Sequence, residues 1–378
     1  MREASELECR RLNETFAALC AIPSVSRREG EVAAYVRSQL EQIGLVVEED
    51  DAAERIGGQS GNLIARTAGR SSPTVLFCSH LDTVPHEGPV TPVLRDGVWA
   101  SESDTILGAD NKAAVAVMLE LARRAKLEGS PVDLEFCFTV AEEVGLLGAS
   151  ALAADRLSAS VGFVFDHATP IGGIITSSPT HIRWRANLRG KAAHAGISPE
   201  DGRNAIAAAA KAIAALDDGR IDDQTTANVA RISGGVAGTN VVPEFCTVDG
   251  EVRSLREGAA ERLVDEIAIV FQDAANDPSS QCDLDLTVER SFTGYELDGN
   301  EPSAAAARAA LLSCGIEPVT VSSGGGSDAN LFRERGLDCV NLANGTTHPH
   351  ETNETVSSAD LESMLNVSFA LLEAIGQD

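Results

Sequence analysis

Short apolar runs that each lead to an acid or an imidazole, spaced by helix-period stretches, constrain this chain more than any other feature. Residues 75–78, 132–140 and 161–165 are dominated by Val, Leu, Phe and Cys, and the chain leaves them at His80, Glu142-Glu143 and Asp166. Runs of this length and composition read as strands covered on both faces. Residues 62–66 and 97–101 read as further strands. Helical stretches fall at 5–20, 29–43 and about 111–126; in the second, Val32, Tyr35, Val36, Leu40 and Ile43 recur at helical spacing. Such alternation predicts an α/β fold, a mainly parallel or mixed sheet with helices on both faces.

The pattern changes near Ser178. Residues 180–190 alternate, with His181, Arg183 and Arg185 set against Ile182, Trp184 and Ala186, as a half-exposed strand does. A helix at 203–216, strands at 228–233 and 245–253, a helix at 259–274 and a strand at 284–291 follow. This order predicts an α+β open sandwich of four antiparallel strands and two helices. After Asn300 the α/β pattern returns, with helices at 302–313 and 358–375. The expected organisation is therefore an α/β domain built from residues 1–177 and 294–378, with a smaller domain, 178–293, inserted.

Charge excludes some partners. With 57 acidic residues against 30 basic, the formal net charge is -27, the wrong sign for nucleic acid or an anionic membrane surface. The first 20 residues interleave Arg and Glu and lack the apolar core of a secretory signal, and no later stretch is long enough to span a bilayer, so a cytoplasmic location is expected. Eight cysteines without a Cys-x-x-Cys pair read as reduced, buried thiols.

Chemistry concentrates at five places, at strand ends where open sheets bind ligands. His80 and Asp82, two apart, can act on the same side of an extended chain; an incidental surface turn is the alternative. Asp110, in a glycine-bearing loop that enters a helix, can cap that helix or bridge two cations with its two oxygens. Glu142 and Glu143 are adjacent and face opposite ways, so one can ligate a metal while the other acts as a base; alternatively both are solvated. Asp166 closes the fourth segment. His348 and His350, in the fifth, form either a ligand-bearing or a solvated loop. Imidazoles and carboxylates without thiolates suit zinc, cobalt or manganese. The Gly324–Gly326 loop before Ser327 lacks the Lys and spacing of a P-loop. His86, His167 and His181 read as structural, and no Gly-x-Ser-x-Gly elbow supports a serine hydrolase.

The stretches SHLDTVP, ILGADNKAAVA, FTVAEEVGLLGA, FVFDHA, GKAAHAG, GTNVVPE, GEVRS and HETNE occur in one order from Ser79 to Glu354. In this the chain resembles the two-zinc exopeptidases related to peptidase T, carboxypeptidase G and aminoacylase, and most closely the shorter peptidase T-like branch. The resemblance implies a catalytic α/β domain and an inserted lid and dimerisation domain, two divalent ions per chain, a short-peptide substrate and a homodimer. It assigns His80 and Asp166 to one ion, Glu143 and a C-terminal histidine to the other, and Asp110 to both. That histidine is His350 rather than His348, because the family pattern places Glu four residues on, at Glu354. Asp82 would orient His80, Glu142 would be the general base, and His194 would stabilise the oxyanion. Asn240 and Arg253 would contact the substrate carboxylate; an exposed strand cation is the alternative for Arg253. The Asp110–Asn111 bond would be cis. The implied activity is that of a tripeptide aminopeptidase. A deacylase or carboxypeptidase of the same family would use the same metals, and a non-catalytic binding protein on this scaffold would usually lack a ligand or the base, all of which are present.

Overall fold

The computed structural model describes residues 2–376. Two compact units divide the chain, one formed by Met1–Thr176, Leu297–Ser323 and Ser327–Asp378, the other by Ser177–Glu296 with Gly324–Gly326.

The first unit is built on a mixed sheet. Its order is Val47–Glu49, Leu63–Thr67, Val132–Thr139, Ser71–His80, Val161–His167, Asp338–Ala343 and Gly173–Ser178. The four strands from Val132–Thr139 to Asp338–Ala343 are mutually parallel, while the flanking ones run antiparallel. The parallel strands are covered on both faces, and Phe77, Cys78, Phe136, Cys137 and Phe163 have no exposed surface. Because the four point the same way, their carboxyl ends share one edge, where His80 pairs in register with Thr139 and Ala343 with His167. Open α/β sheets bind ligands at this edge. The strand Gly173–Ser178 was not legible as such in the sequence.

Helix Ala109–Glu128 crosses this sheet and is buried nearly all round, which suits its run of Ala, Val and Leu. Its backbone departs from helical geometry at Asp110 and Asn111, and the Asp110–Asn111 bond is cis. Asp110 therefore does not serve as the cap. Helix Glu6–Cys20 begins with a capping box, Ser5 accepting from the Glu8 N–H and Glu8 from the Ser5 N–H. The same Glu8 carboxylate receives Arg124 at 2.7 and 2.8 Å, and that guanidinium lies 3.2 Å above the Phe369 ring. One side chain thus starts the first helix and ties it to two others.

The second unit is a five-stranded antiparallel sheet in the order Gly219–Asp222, Thr225–Gly234, Phe245–Ser254, Thr180–Arg189, Asp283–Phe292. Helices Ala205–Ala215 and Ala259–Asn276 pack on it, their Ala209, Ala212, Ile267 and Phe271 meeting Ile182, Trp184, Val248 and Val252 of the sheet. One more strand is present than the four expected. Gly219–Asp222 is only four residues long and buries none of them, so it carries no alternation to read.

All eight cysteines are free thiols, six of them buried. Among the described residues no helix is long and apolar enough to cross a membrane.

The Glu8 pair makes a pH-dependent contribution to stability. Burial opposes its ionisation, but Arg124 and Ser5 outweigh this and hold the carboxyl down at about 2. A group depressed on folding stabilises above its unfolded value and loses that stabilisation as pH falls toward the folded one. Glu8→Gln is therefore expected to lower the unfolding free energy by about 2–3 kcal/mol near neutrality. In denaturant titrations that gap should narrow steadily from about pH 5 to pH 3; a pH-independent gap contradicts the assignment.

Candidate metal centre

His80 is the last residue of its strand and is 2% exposed. Its Nδ1 lies 3.0 Å from the Asp82 backbone carbonyl, so the ring proton sits there and Nε2 is left as a lone-pair donor. Nε2 faces Asp166 Oδ1 at 3.4 Å and Asp110 Oδ1 at 3.5 Å. The Asp82 carboxylate, expected to orient His80, is 3.4 Å from Nδ1. Its shorter bonds go elsewhere, to the N–H groups of Glu142 at 2.9 Å and Glu143 at 3.2 Å and to the Ser26 hydroxyl at 2.7 Å. The backbone carbonyl of Asp82 holds the histidine at closer range than its side chain does.

Glu142 and Glu143 follow the buried strand Val132–Thr139 after a sharp reversal at Ala141, whose φ is 53°. Glu143 Oε1 meets His350 Nε2 at 3.0 Å, and the same nitrogen is 3.4 Å from Asp110 Oδ2. Asp110 thus turns one oxygen to each histidine. Ligand atoms of His80, Glu142 and Asp166 lie within 4.8 Å of one another, as do those of His80, Asp110 and Glu143. Of the two C-terminal histidines, His350 is the one that reaches this cluster.

Several supporting bonds had no signature in the sequence. Glu354, 2% exposed, accepts the N–H groups of Leu107, Gly108 and Asp110 at 2.9, 2.7 and 2.9 Å and so fixes the loop that carries Asp110. Asn341 holds both backbone groups of Asp166, at 2.9 and 3.0 Å, and Asn111 donates to its Oδ1 at 3.1 Å.

Burial and the charges around each group set the proton affinities. Burial pushes the Asp166 carboxyl up to about 8 against the pull of His80, with Asp110 and Asp328 adding like charge. Burial also drives Glu142 well above the carboxylate range, helped by Asp166 and Glu143. Burial disfavours charged His80, yet Asp166, Asp110 and Asp82 outweigh it and raise its proton affinity, so that a cation at Nε2 would take the place of a proton there. Hydrogen bonds to Asp110 and Glu143 raise His350 to about 10. Asp110 goes the other way: burial is overcome by His350 and His80, which keep it below the usual range. Its Oδ1 is nonetheless buried without a hydrogen-bond partner. A largely buried set of four carboxylates and two imidazoles, one with an unsatisfied oxygen, fits divalent cations that take N and O ligands.

Residues 176–277 match the peptidase dimerisation domain and residues 62–180 match peptidase family M28. The chain is 36% identical to the Bacillus subtilis protein YqjE over 96% of its own length and 98% of that protein. Aminopeptidase PepT from Bacillus cereus superposes with a TM-score of 0.85 at 35% identity, covering 97% of this chain and 98% of that one. A tripeptidase from Staphylococcus aureus superposes with a TM-score of 0.89 at 31% identity, covering 98% and 99%. The chain belongs to the M20 peptidase family.

In this M20 peptidase His194, Asn240 and Arg253 lie in the second unit, whereas the other seven candidate residues lie in the first. His194 is exposed, and its Nδ1 accepts the Gly196 N–H at 3.2 Å, which leaves the ring proton on Nε2 as an outward donor. Its segment is fastened to the neighbouring loop by the Ala195 N–H, which donates to the Asn240 carbonyl at 2.9 Å. Arg253 is already engaged, with Nε and Nη2 on Glu251 at 3.0 and 3.3 Å. Glu251 also meets His181, which is buried against Phe292. A second carboxylate on these nitrogens would have to displace Glu251.

His350→Ala is expected to bind one divalent ion fewer per chain than wild type, and His348→Ala to keep the wild-type content, by metal analysis after dialysis. The reverse pattern would assign the ligand to His348.

Proposed function

We propose that this M20 metallopeptidase is an aminopeptidase that removes the N-terminal residue from short peptides, tripeptides above all. The observation that carries the reading is the convergence of His80, Asp110, Glu142, Glu143, Asp166 and His350 at the carboxyl edge of the parallel strands. Similarity to PepT and a tripeptidase along the full length supports the choice of substrate class.

In this reading His80 and Asp166 would hold one divalent ion and Glu143 and His350 the other, with Asp110 shared. Zinc is the proposed metal; cobalt and manganese suit the same donors. Such a pair, when bound, polarises a scissile carbonyl and lowers the pKa of a water toward about 7. Glu142 accepts a proton from the attacking water at its carboxylate and returns it to the departing amine. Desolvation together with Asp166 and Glu143 favours its protonated form, which supports uptake of the proton from water. His194 offers Nε2–H to the oxyanion, a donor already set by the bond at Nδ1. Arg253 and the Asn240 amide take the substrate's C-terminal carboxylate, the guanidinium exchanging its Glu251 partner for the ligand. A homodimer through the second unit and a cytoplasmic location complete the proposal.

Digestion of a tripeptide library with product identification tests it. The expected products are a free N-terminal amino acid and a dipeptide. Release of the C-terminal residue would mean a carboxypeptidase, and cleavage of N-acyl amino acids alone a deacylase. Glu142→Ala should keep its metal and fold while kcat falls about 100- to 10,000-fold; near-wild-type turnover would remove Glu142 as the base. His194→Ala should lose about 100- to 1,000-fold in kcat.

A further inference from the structure

The turn that presents Glu142 and Glu143 is fastened through its backbone. Three consecutive N–H groups, those of Ala141, Glu142 and Glu143, are each received by a carboxylate oxygen. Glu29 Oε1 takes the first at 3.0 Å, Asp82 Oδ1 the second at 2.9 Å and Asp82 Oδ2 the third at 3.2 Å. Glu29 has no exposed surface. Its Oε1 also accepts the Arg27 N–H at 2.7 Å, and its Oε2 is buried with no hydrogen-bond partner. A buried carboxylate half of which is unsatisfied is unfavourable in itself, so its place calls for another account.

Ala141 supplies one. It is wholly buried and holds φ at 53°, a left-handed conformation unfavourable for a residue with a Cβ. This reversal follows the strand end and precedes Glu142 and Glu143, both of which bring a carboxylate oxygen into the clusters around His80. The loop bearing Glu29 is well anchored, since Ser24 accepts the Thr83 N–H at 2.9 Å and Ser26 donates to the Thr83 carbonyl at 3.2 Å. Ser26 also donates its hydroxyl to Asp82 at 2.7 Å. Residues 24–29 therefore fasten the turn twice, directly through Glu29 and through Ser26 on Asp82.

We propose that Glu29 is a positioning residue for the peptidase reaction, its Oε1 holding the Ala141 reversal that aims Glu142 and Glu143 into the metal centre. This rests on the roles proposed above for those two residues. Glu29 touches no reacting atom; it acts on geometry, and misplacement by about 1 Å can cost about 100-fold in rate.

Three variants test this, assayed on a tripeptide with metal content measured in parallel. Glu29→Gln keeps an acceptor oxygen at the Oε1 position and should hold kcat within about threefold, whereas Glu29→Asp keeps the charge, withdraws the acceptor by one methylene and should lose about 10- to 100-fold in kcat. In the aspartate variant KM and bound metal should stay near wild type. Adding Ala141→Gly to Glu29→Asp should restore part of the lost kcat, because glycine adopts the left-handed conformation unaided. A larger loss in the glutamine variant than in the aspartate variant, a loss confined to KM, or no recovery with glycine would each overturn the inference. Glu142→Ala in the same assay separates the two levels. Surviving turnover there removes the mechanism itself, whereas an inactive Glu142→Ala beside a fully active Glu29→Asp removes only the role of Glu29.

Discussion

Like charges brought together out of water repel, and the first unit is organised around that repulsion. Asp110, Glu142, Glu143 and Asp166 stand together at the ends of parallel strands, offset within the chain by two imidazoles. Holding them requires strong donors that bring no competing charge, and backbone N–H groups are such donors. Asp82, Glu29 and Glu354 are acids too, yet each is spent on main-chain N–H groups next to a candidate ligand. An outer layer of carboxylates thus grips the backbone so that an inner layer stays gathered around His80.

The sheet supplies the rest. Parallel strands buried on both faces leave little freedom in where their ends lie, so His80 is fixed by register with Thr139, whereas Asp166 falls at a register shift between its strand and Asp338–Ala343. Loop residues lack that constraint and are fixed by buried side chains, Glu354 for the Asp110 loop and Asn341 for the Asp166 backbone. Rigid first ligands and fastened loops are what preorganised catalysis needs. In the second unit His194 sits on a loop tied to its neighbour, with the tautomer set by Gly196.

Much of this was readable from residues alone. Apolar runs leading to acids or imidazoles marked the parallel strands and the edge they share, and the ordered motifs from Ser79 to Glu354 carried the family. What stayed hidden was mostly backbone chemistry. Glu29 lies 112 residues from Ala141, and Glu354 lies 244 from Asp110, so no local spacing announces either bond. The Asp82 carboxylate looked like a partner for His80 by its two-residue spacing, but extended-chain geometry could not foresee that the Glu142–Glu143 N–H groups would be nearer. Arg253 showed its bidentate fork without showing that Glu251, two residues away on the same face of the strand, already fills it. The short strand Gly219–Asp222 buries too little to leave a hydrophobic pattern.

The claim on which the account turns is that two ions share Asp110 at the strand ends. A crystal structure of the metal-loaded protein, with anomalous diffraction recorded at the zinc edge, measures it directly. Two peaks are expected, one against His80 and Asp166 and one against Glu143 and His350, with the Asp110 carboxylate touching both. A single peak, or two peaks of which one lies away from Asp110, would contradict the account.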